Sequence, residues 1–236
     1  MTKRLYTPSL PELFRVDATS VETAELHLTS IYLDSTGKFN YLNASKILQS
    51  AYKGFHDIEQ LVAGCEKAGS KVGRKPNAEV VRLAAPEAFG RKAQVFQLPK
   101  RSFHFGKDRA APFRVPFFFV ENEVIKICFL QPRKNGGLNL EQCGGLFTVL
   151  KKHLLDQEFY GEKTDIEYID VSAPNKKEAR KKTVYSLNDI SLWNDEKLSN
   201  HLTIISQALE NLEKAGLAEE IKPRRPFKDP DLPLFD

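Results

Sequence analysis

The pattern of apolar and polar positions divides the chain into a helical first part and a strand-rich second part. The pattern over 2–38 is mixed, with a short helix expected around 21–33, whereas apolar residues at steps of three and four predict a longer helix that Asn43 caps and that ends near Gly69. The longer helix would bury Ile47, Ala51, Phe55, Ile58, Val62 and Cys65. A basic connector, 71–76, then leads to Asn77, a residue suited to cap a helix over 78–85. We therefore expect helices up to residue 85.

From Gln94 onward, aromatic and β-branched residues dominate, which is typical of strands. The runs 94–98, 102–105, 115–120 and 124–130 are predicted strands, and Glu121-Asn122-Glu123 is a predicted turn between the last two. Because those two strands are apolar on both faces, they should lie at the centre of a sheet that helices cover on both sides.

The rest of the chain completes an α/β pattern. A helix is predicted over 139–157 and a strand over 164–172, which a crossover would pair in parallel with an earlier strand. We expect a central mixed sheet of about 4–5 strands flanked by helices. The predicted parts are an N-terminal helical region (1–76), an α/β core (77–190), a C-terminal amphipathic helix (191–217) and an extended tail (218–236).

Composition adds an expectation about location. The 236 residues include 41% hydrophobic residues, enough for a sizeable core, and carry a formal net charge of +4. We find no pattern of a signal peptide or a membrane span, so we expect a soluble, cytoplasmic protein without a membrane partner. The five histidines and three cysteines lack the usual spacing of metal ligands, so no metal site is predicted from them.

The candidate binding residues are basic. Between Arg91 and Arg114 there are seven cations and one acid, Asp108. Such an excess favours contact with nucleic acid, most simply with the phosphates of duplex DNA, although a solvated charged face is the alternative. The predicted nucleic-acid-binding residues are Arg91, Lys92, Lys100, Arg101, Lys107, Arg109, Arg114 and, at the end of the last central strand, Arg133.

Three further residues suggest a catalytic site. Glu79 stands on the helix before the predicted strands, and Gln131 and Lys134 follow the strand 124–130. Over about 77–172, this order of helix, three antiparallel strands, helix and strand resembles the core of the PD-(D/E)XK, or restriction-endonuclease-like, nuclease superfamily. The resemblance implies a nuclease in which Glu79, Gln131 and Lys134 surround Mg²⁺.

The chain departs from that family at specific positions. No acid lies between Arg114 and Val120, where the family places a metal ligand, and Gln131 stands in place of a carboxylate. Gln131 and Lys134 are also three residues apart, so a bulge at Pro132 is needed to bring them together. Three interpretations stay open: a metal-dependent nuclease, a relative of the fold that binds DNA without cutting it, and an unrelated α/β fold.

The C-terminal part supports a different class of function. Leucines and an isoleucine form a stripe from Leu198 to Leu212 that either packs on the domain or pairs with a partner helix. In the tail, Leu232, Leu234 and Phe235 resemble the short peptide by which bacterial DNA enzymes dock on the sliding clamp, although packing of these side chains on their own domain is the favoured interpretation. These features predict, as the alternative, a non-catalytic assembly subunit. The clamp peptide would point to bacterial DNA metabolism or defence.

Overall fold

Five strands form a mixed central sheet in the computed structural model, which describes residues 4–33, 40–67, 71–175 and 177–220. The order in the sheet is β1-β4-β5-β6-β7. All neighbouring pairs are antiparallel except β5 and β6, which are parallel. The predicted α/β class with a mixed sheet of 4–5 strands is therefore confirmed, as is the crossover. The strands are β1 (Gln94–Gln97), β2 (Arg101–Phe105), β3 (Arg109–Phe113), β4 (Phe117–Glu121), β5 (Val124–Gln131), β6 (Thr164–Asp170) and β7 (Thr183–Tyr185).

Helices cover both faces of this sheet. A π-helical turn, Lys151–Leu155, follows α6 and leads into the short α7. The helices are α1 (Leu10–Arg15), α2 (Val21–Leu33), α3 (Leu42–Tyr52), α4 (Ile58–Lys67), α5 (Lys71–Ala84), α6 (Leu140–Leu150), α7 (Asp156–Glu158), α8 (Asp195–Lys214) and α9 (Leu217–Glu220).

The central strands separate two hydrophobic cores. Phe117 and Phe119 of β4 pack with α3, α4 and α5, whereas Ile127 and Phe129 of β5 pack on the other side with α1, α2, α6 and α8. This arrangement follows from the period of two along a strand, which sends alternate residues to opposite faces. Both strands are apolar on both faces because both faces are buried.

A separate hairpin, β2–β3, lies beside the central sheet. Only its first strand is predicted by the sequence, since the second strand is Arg-Ala-Ala-Pro-Phe and alanine and proline are poor strand formers. Its register pairs Arg101 with Phe113 and Phe105 with Arg109, so both phenylalanines and Phe103 enter the core shared with α1 and α6.

The predicted helix over 43–69 is wrong in its extent. It is broken into α3 and α4 after Tyr52, because Gly54 adopts a positive φ of 104°. Phe55, expected on the buried face, is 66% exposed in the connection.

The segment 71–76, predicted to be a connector between two helices, is instead the first part of α5. Asn77 is not a cap but lies buried within that helix. Its side chain accepts a hydrogen bond from the backbone N–H of Ala44 (2.9 Å) and donates one to the carbonyl of Gly73 (2.8 Å). These bonds tie α5 to the start of α3, and the helix continues through Pro76.

The C-terminal helix forms as predicted, with the Asn194 side chain accepting from the N–H of Lys197 (2.8 Å). Its apolar stripe faces the protein's own core: Leu198, Leu202, Ile205 and Leu209 are buried, and Leu212 is partly buried against them. The stripe is therefore a core face and not a surface for a partner helix. Leu232, Leu234 and Phe235 lie outside the described residues, and α9 occupies the start of the region predicted as a tail.

Candidate nucleic-acid interface

A cleft of about 490 Å³ lies between α1, the open end of the β2–β3 hairpin and the end of β5. Basic side chains from these separate segments line it, so we call it the basic cleft. The lining residues are Ser9, Pro11, Glu12, Arg15, Lys100, Arg101, Ser102, Pro112, Phe113, Arg114, Phe129, Leu130, Gln131, Pro132 and Arg133.

Helix α1 forms one wall of the basic cleft because its start is capped and its apolar side is buried. Ser9 and Glu12 make a capping box, in which the Ser9 N–H and hydroxyl both donate to Oε2 of Glu12 (3.1 and 2.8 Å). Leu10, Leu13 and Phe14 are fully buried, and Arg15 in the last turn reaches the cleft.

Five cations and one carboxylate line the basic cleft: Arg15, Lys100, Arg101, Arg114 and Arg133 with Glu12. Arg133 forms an ion pair with Glu12 at 2.9 Å. Burial by itself raises the pKa of Glu12, but the charge of Arg133 and the hydrogen bonds from Ser9 outweigh it and lower the pKa below its usual value. Glu12 is therefore ionised and neutralises one cation, which leaves the cleft strongly positive.

The other cations differ in how firmly they are held. Lys100 and Arg114 are exposed and make no hydrogen bond or ion pair with any residue that the structure describes. Arg101 pairs with Glu158 at 2.6 Å, but both side chains are more than one third exposed, so solvent weakens this pair. Arg15 is half-buried and donates to the carbonyl of Asn135 at 3.0 Å.

Arg91 is committed to a network inside the fold. It donates to both carboxylate oxygens of Glu121 (2.8 and 2.6 Å) and to those of Glu167 (2.9 and 2.7 Å). Its guanidinium lies 4.9 Å from the ring centre of Phe119, and Tyr52 donates to the same Glu167. This arginine holds β4, β6 and α3 together, so a phosphate would have to break two ion pairs to bind it.

The remaining predicted cations lie away from the basic cleft. Arg109 is buried and paired with Glu213. Lys107 is exposed in the turn of the β2–β3 hairpin. Because a strand of five residues is about 16 Å long, this turn lies about that far from the open end of the hairpin. Lys92 is exposed before β1 and does not line the cleft. The cations of the run 91–114 therefore lie in several separate environments. Of these cations, only Lys100, Arg101 and Arg114 line the basic cleft together with Arg133.

The three predicted catalytic residues are divided between two sites. Gln131 lines the basic cleft, and its amide stabilises the following turn by donating to the carbonyl of Gly136 and accepting from the N–H of Arg133. Glu79 and Lys134 line a separate depression of about 260 Å³. There Glu79 pairs with Arg180 at 3.5 Å, and Lys134 donates to the carbonyl of Glu178 at 3.0 Å.

These residues do not fit a magnesium site. Mg²⁺ requires several oxygen ligands around one point, usually including a carboxylate. The carboxylate of Glu79 faces a guanidinium, and the oxygen of Gln131 accepts a backbone hydrogen bond and lines a different cavity. Within the described ranges, no group of three or more His, Cys, Asp or Glu side chains is placed to hold a metal.

Two charged residues of the basic cleft, Glu12 and Arg15, are not among the site residues predicted from the sequence. The signal for their helix is present, because Ser9 followed three residues later by Glu12 is the pattern of a capping box. Their approach to Arg133, more than 110 positions away in the chain, depends on the packing of α1 and has no local signature.

None of the described helices combines the length and the apolar character needed to cross a membrane. Comparison of the chain with models of protein families, with curated proteins and with solved structures finds no match.

Proposed function

We propose that this protein binds nucleic acid, with the phosphates of DNA held at the basic cleft. One observation carries the proposal: three segments distant in sequence bring five cations to a cleft with a single carboxylate. Like charges gathered in this way repel one another, so a bound polyanion would stabilise the arrangement. Phosphate oxygens are its natural complement, because arginine presents a planar fork of donors to them.

Lys100 and Arg114 are the residues proposed to make the first contacts. Both are exposed and make no ion pair with a described residue, so a phosphate displaces only water and counterions from them. Arg101 adds a third contact if the phosphate replaces Glu158. Because the Arg101–Glu158 pair is exposed, its loss costs little free energy. Binding of this kind depends on salt and is largely independent of sequence.

We also propose that the fold is a degenerate relative of the PD-(D/E)XK core. The order α5, β1, β4, β5, α6 and β6 supports this, since it contains the helix, three antiparallel strands, helix and parallel strand on which the resemblance rests. The residues that would hold Mg²⁺ are separated, however, so we assign binding to the basic cleft and no cleavage step.

The alternative of an assembly subunit has less support. Its main feature, the stripe from Leu198 to Leu212, packs in the core of the same chain. Its second feature, the peptide containing Leu232, lies outside the described residues.

Two double variants with equal loss of charge test the proposal. Lys100→Gln with Arg114→Gln removes two cations of the basic cleft, whereas Lys92→Gln with Lys107→Gln removes two exposed cations elsewhere. Binding of labelled duplex DNA is measured by fluorescence anisotropy over a salt series. Each phosphate contact contributes about −0.9 to the slope of log affinity against log salt. The slope of the cleft variant should therefore be less steep than that of the wild type by about 1.8.

The control variant should keep the wild-type slope within error. Equal slopes for the cleft variant and the wild type would refute binding at the basic cleft. Equal reductions in both variants would show that net charge, and not this cleft, governs binding. Absence of DNA binding by the wild type at about 50 mM salt, where screening is weak, would refute the function itself.

A further inference from the structure

The cations of the basic cleft line a single cavity, and contact with an extended DNA backbone does not require such a cavity. A surface that follows a backbone needs cations spread along it, because the phosphates of a strand are spaced regularly. Here arginines and a lysine from α1, the hairpin and the end of β5 line one cavity of about 490 Å³. A cavity of this size lies within the usual range for small-molecule sites, roughly 300–1,000 Å³.

We propose that the basic cleft binds the terminal phosphate monoester of a nucleotide, at the end of a polynucleotide strand. This inference rests on the proposed function, since it names the part of the nucleic acid that enters the cleft.

The charge of the basic cleft matches a terminal phosphate better than an internal one. An internal phosphodiester carries one negative charge, whereas a monoester carries about 1.5 to 2 at pH 7 and has three acceptor oxygens. Among the lining cations, Glu12 forms an ion pair with Arg133 alone. Lys100 and Arg114 make no ion pair with a described residue, so they are available for the second charge.

Arg15 distinguishes the inner part of the cleft from its rim. It is half-buried, whereas Lys100 and Arg114 are exposed. Its Nε is buried and finds no hydrogen-bond acceptor among the described residues, while Nη2 donates to Asn135. Burial lowers the pKa of Arg15 and the charge of Glu12 raises it, but an arginine stays protonated in either case. A second anion near Arg15 would offset its loss of hydration.

The walls of the basic cleft suit the rest of a nucleotide. Pro11, Pro112 and Pro132 line it together with the largely buried Phe113 and Phe129, so apolar side chains lie beside the cations. Rigid apolar groups of this kind can contact a sugar and the face of a base without forming sequence-specific hydrogen bonds. The cleft therefore selects a phosphorylated end and tolerates different bases.

The test compares DNA ligands that differ only at their ends. The same short single strand is prepared with a 5′-phosphate, with a 3′-phosphate and with hydroxyl groups at both ends, and a covalently closed circle supplies phosphodiesters without ends. Deoxyadenosine monophosphate serves as a competitor. Because hydrogen bonds to charged groups are strong, one phosphorylated strand should bind at least about tenfold more tightly than the strand with hydroxyl ends.

Variants identify the basic cleft as the source of this preference. Arg114→Gln, at an exposed position, should remove most of the preference without affecting folding, and Arg15→Gln, at a half-buried position, should also reduce the preference. Lys92→Gln with Lys107→Gln should leave the preference intact. The preference should also decrease between pH 7 and pH 5, because the second pKa of a phosphate monoester is about 6.

Different outcomes refute different parts. If all strands and the circle bind equally and remain salt-dependent, the inference fails and nucleic-acid binding stands. If the monophosphate competes for the cleft but no polynucleotide binds, the ligand chemistry stands and the proposed function fails. If neither binds, both fail.

Discussion

Arg109 and Glu213 form a bidentate ion pair, with Nη1 and Nη2 each 2.8 Å from a different oxygen of the carboxylate. The pair joins the start of β3 to the last turn of α8, and Arg109 is only 5% exposed. Oε1 of Glu213 also accepts a hydrogen bond from the N–H of Leu5 (2.7 Å). A cation that resembles a phosphate contact in the sequence therefore fastens the hairpin, one wall of the basic cleft, to the C-terminal helix.

Removing the charge of Glu213 should destabilise the fold. Glu213→Gln leaves Arg109 buried without a counter-charge, and the loss of one partner of a buried pair costs about 3 kcal/mol or more. Asp108→Asn is the control, because Asp108 and Arg4 are 71% and 63% exposed, 3.8 Å apart, and worth less than about 1 kcal/mol. Urea unfolding measures both. Similar midpoints for the two variants would contradict a structural role for the buried pair.

The sequence predicts the central sheet because the relevant pattern is local. Continuous apolar runs such as 127–130 indicate strands covered on both faces, and this interpretation is confirmed. The break after Tyr52 depends on the backbone conformation of Gly54, and β3 forms because its hairpin has a core to cover. The glycine is a local signal of the break that the apolar spacing across it obscures, whereas β3 has no strong local signal.

Long-range pairing explains why the candidate site is only partly predictable. Arg91 and Arg114 look alike in the basic run, yet Arg91 meets carboxylates 30 and 76 positions away, whereas Arg114 meets none among the described residues. Counting charge in a sequence cannot separate a cation that holds the fold together from one that is free to bind. Burial and partners make that distinction.

Stability should fall with acid because of Glu121. Hydrogen bonds from Arg91 lower its pKa from 4.5 to about 2 in spite of burial. A carboxylate with a depressed pKa stabilises the fold fully above about pH 4.5, and this stabilisation disappears as the pH falls towards 2. A shift of this size corresponds to about 3 kcal/mol.

The contribution of Glu121 is isolated by comparing variants. The loss of unfolding free energy between pH 5 and pH 2 should be about 3 kcal/mol smaller in Glu121→Gln than in the wild type. Glu123→Gln removes the same charge from the adjacent exposed turn and should follow the wild-type curve. Parallel curves for Glu121→Gln and the wild type would show that Arg91 does not depress this pKa.

The separation of Glu79 and Lys134 from Gln131 predicts no metal-dependent cleavage. Supercoiled plasmid incubated with Mg²⁺ or Mn²⁺ should stay intact, because the described residues supply no site with several oxygen ligands. Lys134→Ala should bind duplex DNA with the same salt slope as the wild type, since Lys134 lies outside the basic cleft. Cleavage that Lys134→Ala abolishes would contradict this expectation and restore the nuclease interpretation.

The position of Arg15 should depend on a glycine in α6. A Cβ at Gly145 would overlap the ring of Phe14 and lie 3.0 Å from Trp193, so α1 has to move away from α6 in Gly145→Ala. We expect the free energy of unfolding to fall by about 1–3 kcal/mol because of overpacking. DNA binding should also weaken, because Arg15 follows Phe14 in the same helix.

The control is Gly64→Ala in α4, where a Cβ meets only flexible atoms of the Ile47 side chain at 3.2 Å or more. That variant should keep wild-type binding and unfold no earlier, since alanine favours a helix by up to about 1 kcal/mol over glycine. Unfolding curves and DNA anisotropy measure both effects, and unchanged binding by a destabilised Gly145→Ala would show that α1 does not position the cations of the basic cleft.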